Sequence, residues 1–303
     1  MPHSPTKTCY GGRFRFDLPV AYTLRGEGGF VRDVEIRDVK LPVAPSSEAA
    51  RDLFWTKHVA EVRDQYREHK LPPILDEREL RPGVPRLSYR GYDEDDLVLE
   101  ALPSSQGRAV LIRALWRQSY KPAARPTENA EREQAFDEVV KAFSFLPVGY
   151  VAPDPDAFYV KDGLVRIPYS ASGLEHQERF EVGYDAAAHH VKLDFEYEYI
   201  EAQPRDKQPG FLERVARTMA QWPFVGSSLR SGRRVVAGFA GEESLLHVRD
   251  DHKVTYGWMY EPAKNLAGFQ PTITITAESD DGDIAVTTAL WDQTLAGIRR
   301  LAE

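Results

Sequence analysis

The sequence predicts an α+β protein of two similar domains, each an antiparallel sheet with helices packed on one face. Three observations predict it. Long segments alternate apolar and polar residues strictly, as in Val191–Tyr199, where Val191, Leu193, Phe195, Tyr197 and Tyr199 interleave with Lys192, Asp194, Glu196 and Glu198; a period of two marks a strand with one buried face. Other segments carry apolar stripes at spacings of three and four, the mark of an amphipathic helix. The same order of strands, helix, strands and terminal helix then occurs twice along 303 residues, about twice the usual size of one domain. Buried parallel strands would read as continuous apolar runs, so a doubly wound parallel sheet fits poorly.

In the first half, Phe14, Phe16 and Leu18 alternate with Arg13, Arg15 and Asp17, and Pro19 ends that strand. A second strand is expected over Val31–Leu41, with a bulge or bend where its parity changes at Asp38. Arg25-Gly26-Glu27-Gly28-Gly29-Phe30 precedes a strand rather than a helix, so it reads as a turn and not as a phosphate cradle. Ser46 and Ser47 offer caps to a helix running towards Lys70, with Trp55, Val59, Val62 and Tyr66 on its buried face. Strands follow at Leu97–Leu102 and Ala109–Trp116, then a helix at Asn129–Phe143. Pro147, Pro153 and Pro155 mark a loop between domains of residues 1–150 and 151–303.

The second half is expected to place strands at Leu164–Ile167, Glu178–Tyr184 and Val191–Tyr199, and a helix whose face carries Phe211, Val215, Met219 and Trp222. Strands at Arg234–Phe239, Val254–Tyr260 and Thr272–Ala277 precede a closing helix, Thr288–Leu301, with Trp291, Leu295 and Ile298 as its stripe.

Charge separates the halves. Residues 1–150 hold 23 Lys+Arg and 23 Asp+Glu, leaving 16 and 24 of the totals 39 and 47 for residues 151–303, so the net charge of −8 belongs to the second half. Such a balance repels phosphate backbones, excludes nucleic acid as the expected partner and suits a basic protein surface. No apolar run reaches a membrane span of about 18 residues, so no integral membrane segment is expected. The start of the chain shows no apolar leader core.

Searches for chemistry return structural readings. No Gly-x-Ser-x-Gly elbow occurs, and Ser227-Ser228 lacks its second glycine. Cys9 is the single cysteine and lies near the terminus, so neither a disulfide nor a thiolate metal cluster is expected. His189 and His190 are adjacent and point apart on a strand, and His247 and His252 are five apart without a helical pattern. Glu278–Asp283 lacks the closing glutamate of a calcium loop and reads as a tight turn around Asp281-Gly282. The expectation is a binding protein without catalytic residues, metal or cofactor.

The letters add a resemblance. Cys9-Tyr10-Gly11-Gly12-Arg13-Phe14-Arg15-Phe16-Asp17-Leu18-Pro19 resembles the opening of the immunity proteins that guard against type VI secretion phospholipase effectors. Leu229–Glu243, Trp258, Pro271-Thr272-Ile273-Thr274-Ile275, Leu290-Trp291-Asp292 and Ile298-Arg299 resemble that family's C-terminal domain in order. The extra glycine after Cys9 and the missing leader depart from the pattern. The resemblance implies a periplasmic protein, with a cytoplasmic location as the alternative. It also implies a monomer before binding, no cofactor, and capture of a cognate phospholipase effector whose active site is thereby blocked.

Gly238, Gly241 and Trp291 read as turn and core positions rather than contacts. Contact residues are expected on acidic and aromatic loops: Asp93, Glu94, Asp95 and Asp96 in the first domain, and Tyr260, Glu261, Asp280, Asp281 and Asp283 in the second. A small-ligand or lipid-binding protein is the competing reading, because aromatic-rich sheets can enclose an apolar pocket. An enzyme with an unfamiliar site and a self-associating assembly subunit are the further alternatives.

Overall fold

The computed structural model describes residues 5–68, 70, 72–92, 96–116, 125–147, 153–160, 163–167, 177–200, 209–221, 226–262 and 271–301. Along the chain run β1 (Thr6–Gly11), β2 (Phe14–Pro19), β3 (Thr23–Val31), β4 (Val34–Asp38), α1 (Ser47–Gln65), β5 (Ile74–Arg81), β6 (Val84–Arg90), β7 (Leu97–Ala101), β8 (Ser104–Ser105) and β9 (Arg108–Trp116). They continue with α2 (Arg125–Ala142), β10 (Phe143–Phe145), β11 (Ala157–Val160), β12 (Gly163–Arg166), β13 (Gln177–Ala186) and β14 (Val191–Ile200). The chain closes with α3 (Phe211–Gln221), β15 (Gly226–Val236), β16 (Phe239–Val248), β17 (Lys253–Tyr260), β18 (Thr272–Asp280), α4 (Ile284–Gly297) and β19 (Ile298–Arg300).

Contacts divide the chain into two compact units. One comprises Met1–Gly28, Ala152–Val160 and Pro168–Glu303; the other comprises Gly29–Val151 and Lys161–Ile167. The first 28 residues thus pack with the second half. The chain passes between units at Gly28–Gly29, inside β3.

In the unit of residues 29–151, β4, β9, β7, β6 and β5 form an antiparallel sheet in that order. Ser46 caps α1 by accepting a hydrogen bond from the Ala49 amide at 3.1 Å. Trp55, Val59 and Val62 of α1 pack on Leu87, Tyr89, Val98 and Leu111, as their helical spacing predicts. α2 takes the other face, because Arg86, of opposite parity to Leu87, bonds Glu133 and Asp137 there. The segment expected as one strand over Val31–Leu41 is two-part: Arg32 and Asp33 both adopt positive φ (51° and 61°) and turn β3 into β4. Two left-handed residues match the strand twist of a hairpin, and the glycine-rich segment expected as a turn is instead the strand β3.

In the other unit, β15, β16, β17, β18, β14 and β13 form the large antiparallel sheet, with β13 next to the first part of β3. The β1–β2–β19 sheet is built from the first and last described strands. Phe14 and Phe16 of β2 lie on Phe195 at ring distances of 5.2 and 4.9 Å, and Phe14 also meets Tyr197 at 5.2 Å. The two Phe195 pairs are edge-to-face and the Phe14–Tyr197 pair is tilted, geometries that aromatic rings favour. Beneath them, Arg13 and Glu178 form a buried ion pair at 2.9 Å, and the Tyr197 hydroxyl donates to Glu178 at 2.7 Å.

The expected strand Arg234–Phe239 is broken by Ala237 and Gly238, both at positive φ, which turn β15 into β16. The expected helix Thr288–Leu301 starts earlier, at Ile284, and ends at Gly297, where a side chain would strike the Asp17 carbonyl at 2.2 Å. Ile298 therefore belongs to β19, paired with Phe16 of β2. Helices occupy both sheet faces here too: α4 meets the side of Tyr256, whose hydroxyl shares a hydrogen with Thr287 at 2.6 Å, whereas Phe211 of α3 covers Gly257. The antiparallel α+β architecture is as expected. The distribution of helices over both faces follows from glycines and charged residues at positions that pattern alone assigns to solvent.

Gly241 tests the packing. A Cβ there would lie 2.5 Å from the Trp258 ring and 2.6 Å from the Met259 carbonyl, and overpacking of this kind costs about 1–3 kcal/mol. Gly241→Ala should lower the urea midpoint accordingly, whereas Gly232→Ala, with nothing within 4 Å of the added carbon, should change it little.

Candidate functional site

Three of the segments that carry the sequence resemblance, Leu229–Glu243, Trp258 and Leu290–Asp292, meet in one cluster. Glu243 of β16 is buried, and its Oε1 accepts from Trp291 Nε1 at 2.8 Å, Arg234 Nη1 at 2.9 Å and Arg230 Nη2 at 3.0 Å. Asp292 of α4 accepts from the same arginines, at 2.6 Å from Arg230 Nη2 and 2.5 Å from Arg234 Nη1. Two guanidinium groups and two carboxylates balance, so the buried carboxylate is compensated. Trp258 Nε1 donates to the Arg234 carbonyl at 3.0 Å, its ring lying over Gly241. These residues fasten the β15–β16 hairpin to α4. Burial works against ionisation of Asp292, but the hydrogen bonds from Arg230 and Arg234 outweigh it and hold its pKa below the ordinary value.

The opening motif has the same character. Gly11 and Gly12 leave room for the Phe180 and Tyr197 rings, which an added Cβ would approach to 2.2 and 2.4 Å. Arg13 is fixed by Glu178 and by the Asp156 carbonyl at 2.9 Å. Cys9 is half-buried; its thiol lies 3.5 Å from the Tyr184 hydroxyl, and burial raises its pKa. The sequence readings of Gly238 as a turn and of Gly241 and Trp291 as packed positions agree with this placement.

The residues of the second half expected to contact a partner do not form one patch. Asp93, Glu94 and Asp95 lie outside the described residues. Asp96 is only 7% exposed, and its carbonyl accepts from the Gly91 amide at 3.0 Å, so its side chain offers little surface to a partner. Tyr260 ends β17, and Glu261 follows it. The Tyr260 ring lies 4.8 Å from Phe239, and Glu261 pairs with Arg214 of α3 at 3.1 Å. Asp280 and Asp281 lie at the opposite end, since Lys253 pairs with Asp280 and Tyr260 with Ile273. Seven strand residues separate these ends by about 23 Å. Asp283 caps α4 by accepting from the Val286 amide at 3.2 Å.

The Asp280–Asp281 end contains more than the sequence pattern revealed. His247 Nε2 and His252 Nδ1 approach Asp281 Oδ2 at 3.0 and 3.5 Å, and His190 Nδ1 approaches Asp280 at 3.6 Å. The hydrogen bond from His247, with a smaller one from His252, lowers the Asp281 pKa against desolvation. Register explains the assembly: the turn between β16 and β17 sits beside the end of β18, bringing together histidines five apart in sequence. Among the described residues, no group of three or more His, Cys, Asp or Glu is placed to hold a metal, and no helix is long and apolar enough to cross a membrane.

The fold and its polar clusters define an antiparallel α+β protein in which ion pairs fasten strands to helices. Residues 161–299 match the family described as Tle cognate immunity protein 4 C-terminal domain. No curated protein matches the chain. Solved structures share the fold over its whole length. The apo immunity protein TplEi of the type VI secretion system from Pseudomonas aeruginosa has a TM-score of 0.73 at 16% identity, covering 99% of this chain and 98% of that one. Its complex with an "L" peptide gives 0.69 at 16%, covering 99% of each. The Tle4–Tli4 complex gives 0.75 at 18%, covering 100% of this chain and 99% of that one.

Removing one partner of a buried ion pair costs about 3–5 kcal/mol. Glu243→Ala should therefore destabilise the protein in that range by chemical denaturation, and Glu243→Gln, which keeps an acceptor for the Trp291 indole, should cost less. Asp292 has a depressed folded pKa, so its contribution is present above the unfolded value and fades as pH falls through the folded one. Asp292→Asn should flatten the acid-side decline of stability, measured as denaturation midpoints from pH 6 to pH 2.

Proposed function

We propose that this protein is a non-enzymatic immunity protein that binds and inhibits a cognate type VI secretion phospholipase effector. The match of residues 161–299 to the Tle cognate immunity protein 4 C-terminal domain carries the reading. A fold shared end to end with TplEi and with a chain of the Tle4–Tli4 complex supports it. Binding covers the lipase and denies substrate its active site, and the protein acts in the periplasm as a monomer until it meets the effector. No cofactor takes part. The acidic second half suits a basic effector surface, for which the exposed Asp280 beside Asp281 is the proposed contact.

Two cavities among the described residues are lined by charged side chains, unlike a site for an apolar ligand. A space of about 630 Å³ is lined by Arg78, Glu133, Asp137, Glu138 and Lys141, and one of about 370 Å³ includes Arg51, Asp52, Glu77 and Glu79. Sites for apolar ligands are mainly hydrophobic, with few polar groups.

The test is calorimetric titration of the purified chain into the phospholipase encoded beside its gene. A 1:1 complex is expected, and the double variant Asp280→Lys, Asp281→Lys should weaken it at least tenfold. An unchanged dissociation constant removes this loop from the interface; absence of binding to every adjacent lipase overturns the function.

A further inference from the structure

The two units end their sheets differently. β5, terminal in one, carries five charged residues among eight and two register shifts, at Ile74/Asp76 and Glu79/Arg81. Bulges and charges of this kind deter another strand from pairing with an edge. β15, terminal in the other, has no bulge over most of its length, and two of its three arginines are held by carboxylates on one face. Its one register shift falls at Ser228/Arg230, leaving Arg230–Val236 regular against β16, without proline. Among the described residues no strand pairs with its outer side. Leu229 and Val235 are 44% and 67% exposed, and a side chain at Gly232 would meet nothing within 4 Å.

The charge of this edge is specific. Arg230 and Arg234 are held on one face by Glu243 and Asp292. Arg233 points to the other face, exposed, between Ser231 and Val235. Its cross-strand neighbour is Glu242, but that carboxylate accepts from the Leu212 amide at 2.8 Å at the start of α3. Arg233 consequently has no hydrogen bond or ion pair among the described residues.

We infer that β15 is a strand-addition site for an extended segment of a partner protein, one that sets an acidic side chain opposite Arg233 and an apolar one beside Val235. Main-chain hydrogen bonds along Arg230–Val236 supply the pairing, and alternate side chains supply the selection. The site stands independently of which protein supplies the segment.

Two blocked heptapeptides test it, threonine-valine-threonine-X-threonine-valine-threonine with X glutamate in one and lysine in the other, so that X and the valines share the face of Arg233 and Val235. On a chain of net charge −8, unspecific attraction favours the lysine peptide, so preference for the glutamate peptide reports the site. The glutamate peptide should slow hydrogen exchange of amides in Arg230–Val236, and Arg233→Glu should weaken its binding at least tenfold and reverse the preference. Val235→Asp should weaken it while leaving the denaturation midpoint near that of the parent. Equal binding of both peptides, protection elsewhere in the chain, or no protection at millimolar peptide overturns the inference. So does a dimer in sedimentation velocity that Val235→Asp dissociates, because the edge would then belong to a second copy.

Discussion

One buried carboxylate organises the half of the molecule that carries the family's letters. Glu243 cannot stay buried and ionised without compensation, and the donors that satisfy it come from both β15 and α4. The requirement fixes the closing helix against the β15–β16 hairpin. Further along the same helix, Gly297 passes against the Asp17 carbonyl, and β19 can then pair with β2. β2 in turn lays Phe14 and Phe16 on Phe195. A polar constraint at one edge is thus linked through α4 to an aromatic core built from the first and last segments of the chain.

This linkage confines the strict packing and pairing demands to a few positions. Gly241, Trp258, Glu243, Trp291 and Asp292 occupy close approaches or converge on one charge cluster, where substitution leaves a clash or an unpaired group. The solvent faces are under no such constraint, and the solved relatives share the fold at 16–18% identity. Partner choice in this proposal belongs to exposed loops and edges, where residues change without disturbing the frame.

What was legible follows the physics of each element. The Trp55–Val59–Val62 stripe and the alternation of Val191–Tyr199 located α1 and β14, because each element buries a single face. β5 and β6 escaped notice: Asp76 to Arg81 is nearly all charged, and Arg86 faces inward because Asp76, Glu133 and Asp137 receive it. The β3–β4 turn was missed since Arg32 and Asp33 take left-handed conformations without a glycine. Acidic letters do not by themselves say which side chains are exposed together. Asp96 is buried, Asp283 is a helix cap, and Tyr260 and Asp280 sit at opposite ends of the sheet, relations set by register that one strand's letters do not contain. The His247–Asp281–His252 cluster was hidden for the same reason.

The central claim is inhibition, and hydrolysis measures it most directly. The phospholipase encoded beside this gene should be assayed on phospholipid vesicles while the purified chain is added in steps. Hydrolysis should fall linearly and end at one chain per enzyme, with a Glu243→Ala chain less effective as its folded fraction falls. Full hydrolysis in the presence of excess folded chain, by every lipase so encoded, would contradict it.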